Sequence, residues 1–435
     1  MLKVIKFGGS SLSSKGQFQK VKKIVLSDNT RRVVVVSALG KRCSDDSKIT
    51  DLLYILHAHI KYAVPYEDIW DMIYKRFVEV KETLSIPFDI KAELDNLKKE
   101  LNKNITQDYL VSRGEYLTAC LMSKYLGYEM VDAKDIIKFN YDGKTNYELT
   151  KECAQEYLSK YQKIVVPGFY GSYPNGDVKL FSRGGSDVTG SILARSFEAD
   201  LYENWTDVSG ILMADPRLIE NPKPIKEITY HELRELSYMG ANVLHEETIF
   251  PIQSLNIPIN IKNTNRPDDE GTYIIDTCKD NSQVITGIAG KRGFLSFSIF
   301  KSHMSNEIGY VRKVLSIFEK YSISIEHLPS GIDSISVVVL KEEADKYKYE
   351  IVTELKNALN ADEVVVRENI SLIAIVGRNM AGHAGLASKV FSVLGDALIN
   401  VKMIAQGPDE LNIIIGVDSN DYEKAVQLIY TELIK

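Results

Sequence analysis

The run Arg31-Arg-Val-Val-Val-Val-Ser37 constrains the fold more than any other stretch. Successive side chains of a strand point to opposite faces, so four β-branched residues in a row require both faces to be covered. That condition is met inside a parallel sheet packed between helices. The neighbouring sequence supplies the other parts. Leu2–Phe7 reads as a short strand, Gly8-Gly9-Ser10-Ser11 as a turn, and Phe18, Val21, Ile24 and Val25 repeat at helical spacing. A charged helical stretch follows from about Asp51 to Leu101. Lys163–Pro167 reads as a strand, the turn Ser182–Asp187 opens a helix through Ser196, and Ala199–Asn204 is a further strand. This alternation predicts a mostly parallel sheet covered by helices. Ligands of such sheets sit at the carboxyl ends of the strands, so the glycine-rich turns after Phe7, Ser37, Pro167 and Phe181 are the places to look for chemistry.

The pattern lapses around 264–283, where Asn263-Thr-Asn-Arg-Pro-Asp-Asp-Glu-Gly271 reads as a boundary. Beyond it the chain repeats itself. Gly309–Val339 aligns with Gly385–Ile415 at a constant offset of 76, with seven identities in 31 positions, among them Gly309/Gly385, Lys313/Lys389 and Asp333/Asp409. Chance would give about two. Each copy reads as helix, strand, turn and strand, so the C-terminal part is a duplicated α+β unit. An offset of this length is a domain duplication and not a solenoid.

Charge and cysteine usage remove several classes of function. There are 53 Lys and Arg against 59 Asp and Glu, a net charge of −6, so phosphate backbones exert no global attraction and nucleic-acid binding is not expected. No apolar run reaches the roughly 18–20 residues of a membrane span. The N-terminus enters a strand directly and lacks the features of a signal peptide, so a cytoplasmic protein is expected. Cys43, Cys120, Cys153 and Cys278 lie far apart with no C-x-x-C pair, which argues against structural zinc and a disulfide framework. His57 and His59, two apart, fall on different faces of a helix.

Two turns are dense in chemistry. In Lys6-Phe7-Gly8-Gly9-Ser10 the glycines let backbone N–H groups approach an anion, the following helix favours negative charge, and Lys6 offers a point charge. A tight turn would also account for the glycines. In Ser182-Arg183-Gly184-Gly185-Ser186-Asp187, Arg183 can grip a carboxylate or phosphate with two parallel bonds, while Ser186 or Asp187 can equally be a helix cap. Glu115, in Ser112-Arg113-Gly114-Glu115, and Thr206 and Asp207, in Trp205–Gly210, read as either site residues or local structure formers. There is no G-x-x-x-x-G-K-[ST], no G-x-G-x-x-G, no H-R-D or D-F-G and no G-x-S-x-G. P-loop, dinucleotide, protein-kinase and α/β-hydrolase readings therefore lose their main support.

The order of the motifs is more specific than any one of them. Lys6-Phe-Gly-Gly-Ser10, Val33-Val-Val-Val-Ser-Ala38, Ser112–Glu115, Gly168–Gly171, Ser182–Asp187, Trp205–Gly210 and Ala214–Arg217 together resemble the aspartate kinases, from residue 2 to the C-terminus. The resemblance implies an α/β class fold: a three-layer α/β/α amino-acid kinase domain over 1–268, then two ACT-like regulatory domains of βαββαβ type over 284–362 and 366–435, with strands that can interleave. It implies transfer of the γ-phosphate of ATP, with Mg2+ carried by the nucleotide and not by a protein site, to the β-carboxylate of L-aspartate. Lys6 and Asp187 are the implied catalytic pair. Lys6, Gly8, Gly9, Ser10, Thr206, Asp207, Leu212, Arg217 and Asn242 are implied on ATP, and Ser37, Thr50, Glu115, Phe169, Arg183 and Ser186 on aspartate. Met304, Tyr310, Val311, Ile325 and Glu326 match positions that cradle lysine in lysine-sensitive relatives, although Met304, Val311 and Ile325 also read as core residues.

Asn242 stands where many members carry lysine, Leu212 where tyrosine is common, Glu326 where aspartate is common, and Gly331 where serine is. An end-product amino acid is implied as inhibitor, lysine first and threonine next. A homodimer or dimer of dimers through the ACT modules is also implied, and a fused dehydrogenase is not expected. The rival readings are a kinase of the same fold acting on glutamate, acetylglutamate or a nucleotide, and a catalytically inactive amino-acid sensor. The retained Arg183–Asp187 motif and the duplicated tail weigh against the first, and Lys6, Arg183 and Asp187 against the second.

Overall fold

Val33, Val34, Val35 and Val36 are fully buried, as an interior parallel strand demands. The computed structural model describes residues 1–182, 184–241, 244, 246–278 and 284–434. Ten of its strands are β1 (Lys3–Phe7), β2 (Arg31–Val36), β3 (Glu129–Met130), β4 (Ile164–Pro167), β5 (Tyr170–Ser172), β6 (Val178–Leu180), β7 (Leu201–Thr206), β8 (Glu227–Thr229), β9 (Ile259–Asn263) and β10 (Thr272–Ile275). Eight of them form one sheet in the order β3-β4-β2-β1-β7-β9-β10-β8, and β5 pairs with β6 separately. The sheet is parallel from β3 to β9, and β10 is antiparallel to β9. The fold is therefore of the α/β class with a mostly parallel sheet, as expected.

The charged stretch read as one helical region is three helices, Ile49–Lys61, Glu67–Thr83 and Ile90–Glu100. Each break carries a proline, Pro65 and Pro87, and a left-handed residue, Ala63 at φ 55° and Ser85 at φ 50°. Proline has no N–H to continue the helix, so the chain turns there. Asp89 caps the third helix by accepting from the Ala92 N–H at 3.1 Å.

The floor of the sheet holds a buried ion cluster. Glu203 on β7 accepts from Arg31 Nε at 2.9 Å and Trp205 Nε1 at 2.8 Å, and Lys3 lies 3.4 Å away. One carboxylate thus ties β1, β2 and β7 together, and its burial is offset by charged and hydrogen-bonding partners.

The chain divides into two compact units. The first comprises Met1–Ile211, Pro224–Tyr230 and 243–278; the second comprises 212–223, 231–242 and 279–435. In the second unit β11 (Gly287–Phe300), β12 (Ser334–Leu340), β13 (Glu363–Val376), β14 (Met403–Gln406) and β15 (Asn412–Asp418) form one antiparallel sheet, ordered β12-β11-β13-β15-β14. The offset of 76 recurs in its geometry. β11 and β13 begin and end 76 residues apart, as do the helices Tyr310–Lys320 and Leu386–Asp396. Gly309 and Gly385 cap those helices at φ 80° and 92°. The two long strands run through both repeats, so the repeats share one sheet, whose register shifts at Gly293.

Candidate active site

β1 lies at the centre of the parallel sheet, with Lys6 in register with Val35 of β2 and Asn204 of β7. The turns beyond these strands are tied to carbonyls near their neighbours' ends. Gly8 N–H donates to Trp205 O at 3.1 Å, Ser37 N–H to Phe7 O at 3.1 Å, and Gly168 N–H to Val36 O at 2.9 Å. Gly40 N–H donates to Gly9 O at 3.1 Å, and a Cβ added to Gly40 would run into that carbonyl. The turns after β1, β2 and β7 border a cleft of about 620 Å³. It brings together Gly8, Gly9, Ser10, Ser37, Thr50, Glu115, Thr206 and Asp207 of the sequence-nominated residues, and adds Ala38, Leu39, Gly40, Lys41, Arg42, Cys43 and Lys48.

Lys6 is 6% exposed and forms an ion pair with Asp187 Oδ1. The same oxygen accepts from Asn204 Nδ2 at 2.8 Å, and Tyr202 Oη donates to the Asp187 carbonyl at 3.1 Å. Asn204 Oδ1 is buried and has no partner among the described residues. Asp187 sits in the first turn of the helix Gly185–Ser196, entered through Gly184 at φ 58°. That helix packs closely against the β4 turn. A Cβ on Gly168 would lie 2.7 Å from Ser186 Cβ, and one on Gly185 would strike the Phe169 ring. Phe169 itself is left-handed at φ 78°, with its N–H on Thr189 Oγ1 at 2.9 Å. Such a conformation in an aromatic residue costs of order 1–3 kcal/mol and persists only where its surroundings impose it. Phe169, Ser186 and Asp187 are therefore held as one group. Arg183 lies outside the described residues, as does Asn242.

Glu115 comes from the buried helix Gln107–Leu126 and is 3% exposed. Gly114 allows the close approach, since a Cβ there would be 3.1 Å from Ala38 Cβ. Burial pushes the Glu115 carboxyl up to about 8, against the opposing pull of the Ala38 N–H and the Arg113 charge. Its Oε2 is buried without a hydrogen-bond partner among the described residues. An acid left short of partners in this way favours a cation. Arg113 does not enter the cleft lining; its guanidinium lies among the rings of Tyr109, Tyr116 and Tyr170, 4.4–5.6 Å from their centres.

Thr206 Oγ1 donates to Asp207 Oδ1 at 3.1 Å. Leu212 and Arg217 belong to the second unit, where Arg217 is paired with Asp215 at 2.6 Å. In that unit Met304 and Tyr310 are buried in the core of the first repeat and Ile325 packs against it, while Val311 is 40% exposed. The Tyr310 hydroxyl is buried without a partner among the described residues. Glu326 is half-buried and bonds through its N–H to Val338 O at 2.9 Å. Sequence reasoning passed over Gly40, Asn204 and the Ala38 N–H. Gly40 was visible as a glycine in the turn after the valine run. The other two depend on strand register and helix packing.

The comparisons with known proteins agree with this geometry. The amino acid kinase family model matches residues 1–263, and an ACT domain model matches 373–433. The chain is 37% identical to aspartokinase 3 of Bacillus subtilis (strain 168), over 99% of this chain and 98% of that protein. The chain belongs to the amino acid kinase family, among its aspartokinases. It is accordingly a phosphotransferase. The crystal structure of Clostridium acetobutylicum aspartate kinase superposes with a TM-score of 0.93 at 48% identity, covering 99% of each chain. Two structures of E. coli aspartokinase III, each covering 100% of both chains at 26% identity, superpose at 0.76 and 0.78. The first holds aspartate and ADP, the second lysine and aspartate.

Proposed function

We propose that this chain transfers the γ-phosphoryl group of ATP to the β-carboxylate of L-aspartate, giving 4-phospho-L-aspartate, the first step toward lysine, threonine and methionine. The observation that carries this reading is the pairing, on one sheet end, of an under-partnered buried acid at Glu115 with the Lys6–Asp187 pair and the glycine turns. Glu115 takes the α-ammonium of the substrate, with Ser37, Thr50, Phe169 and Ser186 around it and Arg183 on the α-carboxylate. The aspartate and ADP bound by the E. coli enzyme support this choice of ligands.

The nucleophile is the substrate's own carboxylate, with an ordinary pKa near 3.9, so at neutral pH it needs no base. What remains is alignment and charge neutralisation. Gly8, Gly9 and Ser10 offer backbone N–H groups to the phosphates, and Lys6 meets the charge that develops on the transferring group. Asp187, itself fixed by Asn204, aims Lys6. Thr206 and Asp207, with Leu212, Arg217 and Asn242, are assigned to the nucleotide. Among the described residues no cluster of three or more His, Cys, Asp or Glu is arranged to hold a metal ion. Mg2+ would fit as a companion of the ATP phosphates, where it adds further charge neutralisation.

The ACT half is read as an amino-acid sensor for feedback inhibition, with lysine favoured and threonine next. Met304, Tyr310, Val311, Ile325 and Glu326 would form the pocket, and Glu326 would pair with an ammonium group. The lysine bound by the E. coli enzyme supports that order. A homodimer or dimer of dimers through these modules is supported by apolar side chains left in the open, Ile308 at 98% and Leu398 at 92% exposure. The free thiols of Cys43, Cys120 and Cys153 fit a reducing cytoplasm, and among the described residues no helix is long and apolar enough to cross a membrane.

The test is ATP-dependent acyl-phosphate formation trapped with hydroxylamine, offering aspartate, glutamate and acetylglutamate separately. Product with aspartate alone, lost in Lys6→Ala, is expected. Product with another acceptor only, or with none, would overturn the reading.

A further inference from the structure

The cleft rim between β2 and the helix Ile49–Lys61 is a loop held from behind by one side chain. Arg76, from the helix Glu67–Thr83, is 5% exposed. Its Nη2 donates to Gly40 O at 2.7 Å, and its Nη1 to Asp46 Oδ2 at 2.6 Å. Asp46 also accepts from Arg42 N–H and Nε, both at 2.9 Å, and Arg42 Nη1 reaches Glu79 at 2.8 Å. Although burial works against it, the bonds from Arg42 and the charge of Arg76 hold the Asp46 carboxyl well below the usual carboxylate range.

The loop so held makes three contacts with the site. Gly40 N–H meets the Gly9 carbonyl, Ala38 N–H meets Glu115, and Lys41 lines the cleft beside Gly8 and Ser10. Lys41 takes part in no ion pair among the described residues, whereas Lys6 is already matched by Asp187. A cation without a partner on the rim of a polyphosphate cleft is free to meet phosphate.

We propose that Arg76 is a positioning residue for phosphoryl transfer, fixing the 38–47 loop so that Ala38 holds Glu115, Gly40 braces the glycine turn and Lys41 faces the nucleotide phosphates. The inference rests on the kinase reading above. A planar guanidinium spans the Gly40 carbonyl and the Asp46 carboxylate at once; a lysine ammonium, a single point charge, cannot reproduce that fork. Losing the fork leaves the buried Gly40 carbonyl without its side-chain donor and frees Asp46 from the helix behind it, and the loop drifts by the fraction of an ångström to which phosphoryl transfer is sensitive.

The experiment combines kinetics with alkylation of Cys43, which is exposed in the same loop and lines the cleft, whereas Cys120 and Cys278 are buried. Its modification is followed by peptide mapping, with and without ATP. In the parent chain ATP is expected to slow Cys43 alkylation. In Arg76→Lys the ATP-free rate should rise several-fold, KM for ATP about tenfold, and kcat should fall, per mole of folded protein. Lys41→Ala should raise KM for ATP with little change in ATP-free alkylation, and Lys41→Arg should restore it. Asp46→Ala removes the acceptor at the other end of the fork from a rim position and keeps the idea testable if Arg76→Lys does not fold. Folded Arg76→Lys and Asp46→Ala proteins with parental KM, kcat and Cys43 reactivity would overturn the proposal. If the parent chain forms no acyl phosphate, the kinase reading fails first, and the positioning role falls with it whatever the Cys43 rates show.

Discussion

Burial pushes the Glu115 carboxyl up to about 8, so the acid proposed to hold the substrate ammonium is largely protonated in the empty cleft at neutral pH. Binding an ammonium beside it favours ionisation. Two consequences have definite signs. KM for aspartate should fall as pH rises from 6 and level off near 8, and in Glu115→Gln the slope should vanish while KM rises about tenfold or more; initial rates across pH measure both. For folding, a carboxyl with a raised pKa contributes stability that is full below its unfolded value of 4.5 and is lost as pH rises through about 8. Lys6→Met, by contrast, removes a charge from the transferring group, and kcat should drop about 10²–10³-fold with the fold intact by circular dichroism. At this scale the sequence indicated Lys6 and Glu115 as chemically interesting, but not that Asn204 would stand beside Asp187. That neighbour exists only because β7 pairs in register with β1.

Elements place these residues, and their close approaches are sharply tuned. Gly40→Ala should lower kcat/KM at least tenfold, because its Cβ meets the Gly9 carbonyl and one of the two turns must give way; a thermal shift of only a few degrees would separate this from unfolding. The valine run and the first helix were legible as elements because an unbroken β-branched run marks a strand covered on both faces and helical spacing of apolar residues marks a helix. The strands Glu129–Met130, Tyr170–Ser172 and Val178–Leu180, two or three residues each, carry no such signal and follow from the strands they pair with. Glu203→Ala tests the sheet floor. It strands the Arg31 guanidinium, so about 3–5 kcal/mol of stability should be lost in urea unfolding, and kcat of the folded fraction should stay within about twofold, since Glu203 does not line the cleft.

At the scale of the whole molecule the proposed sensor is tested by Glu326→Ala. Inhibition by lysine or threonine should disappear while uninhibited turnover stays within about twofold, in the same hydroxylamine assay. Undiminished inhibition would sink the assignment of that carboxylate. What the sequence by itself determined was the pair of architectures: the β-branched run demanded a covered parallel sheet, and the constant offset of 76 demanded a duplicated unit. Both are local patterns with a fixed physical meaning, period and repeat. What only the tertiary structure decided was company. Arg76 lies 36 residues from the carbonyl it holds, and Asp187 lies 181 residues from Lys6. The strands of the two repeats merge into one sheet although their sequences read as separate copies. Such pairings depend on strand order, register and helix packing. These are set by the sum of burial across the fold, and no single stretch of sequence encodes them.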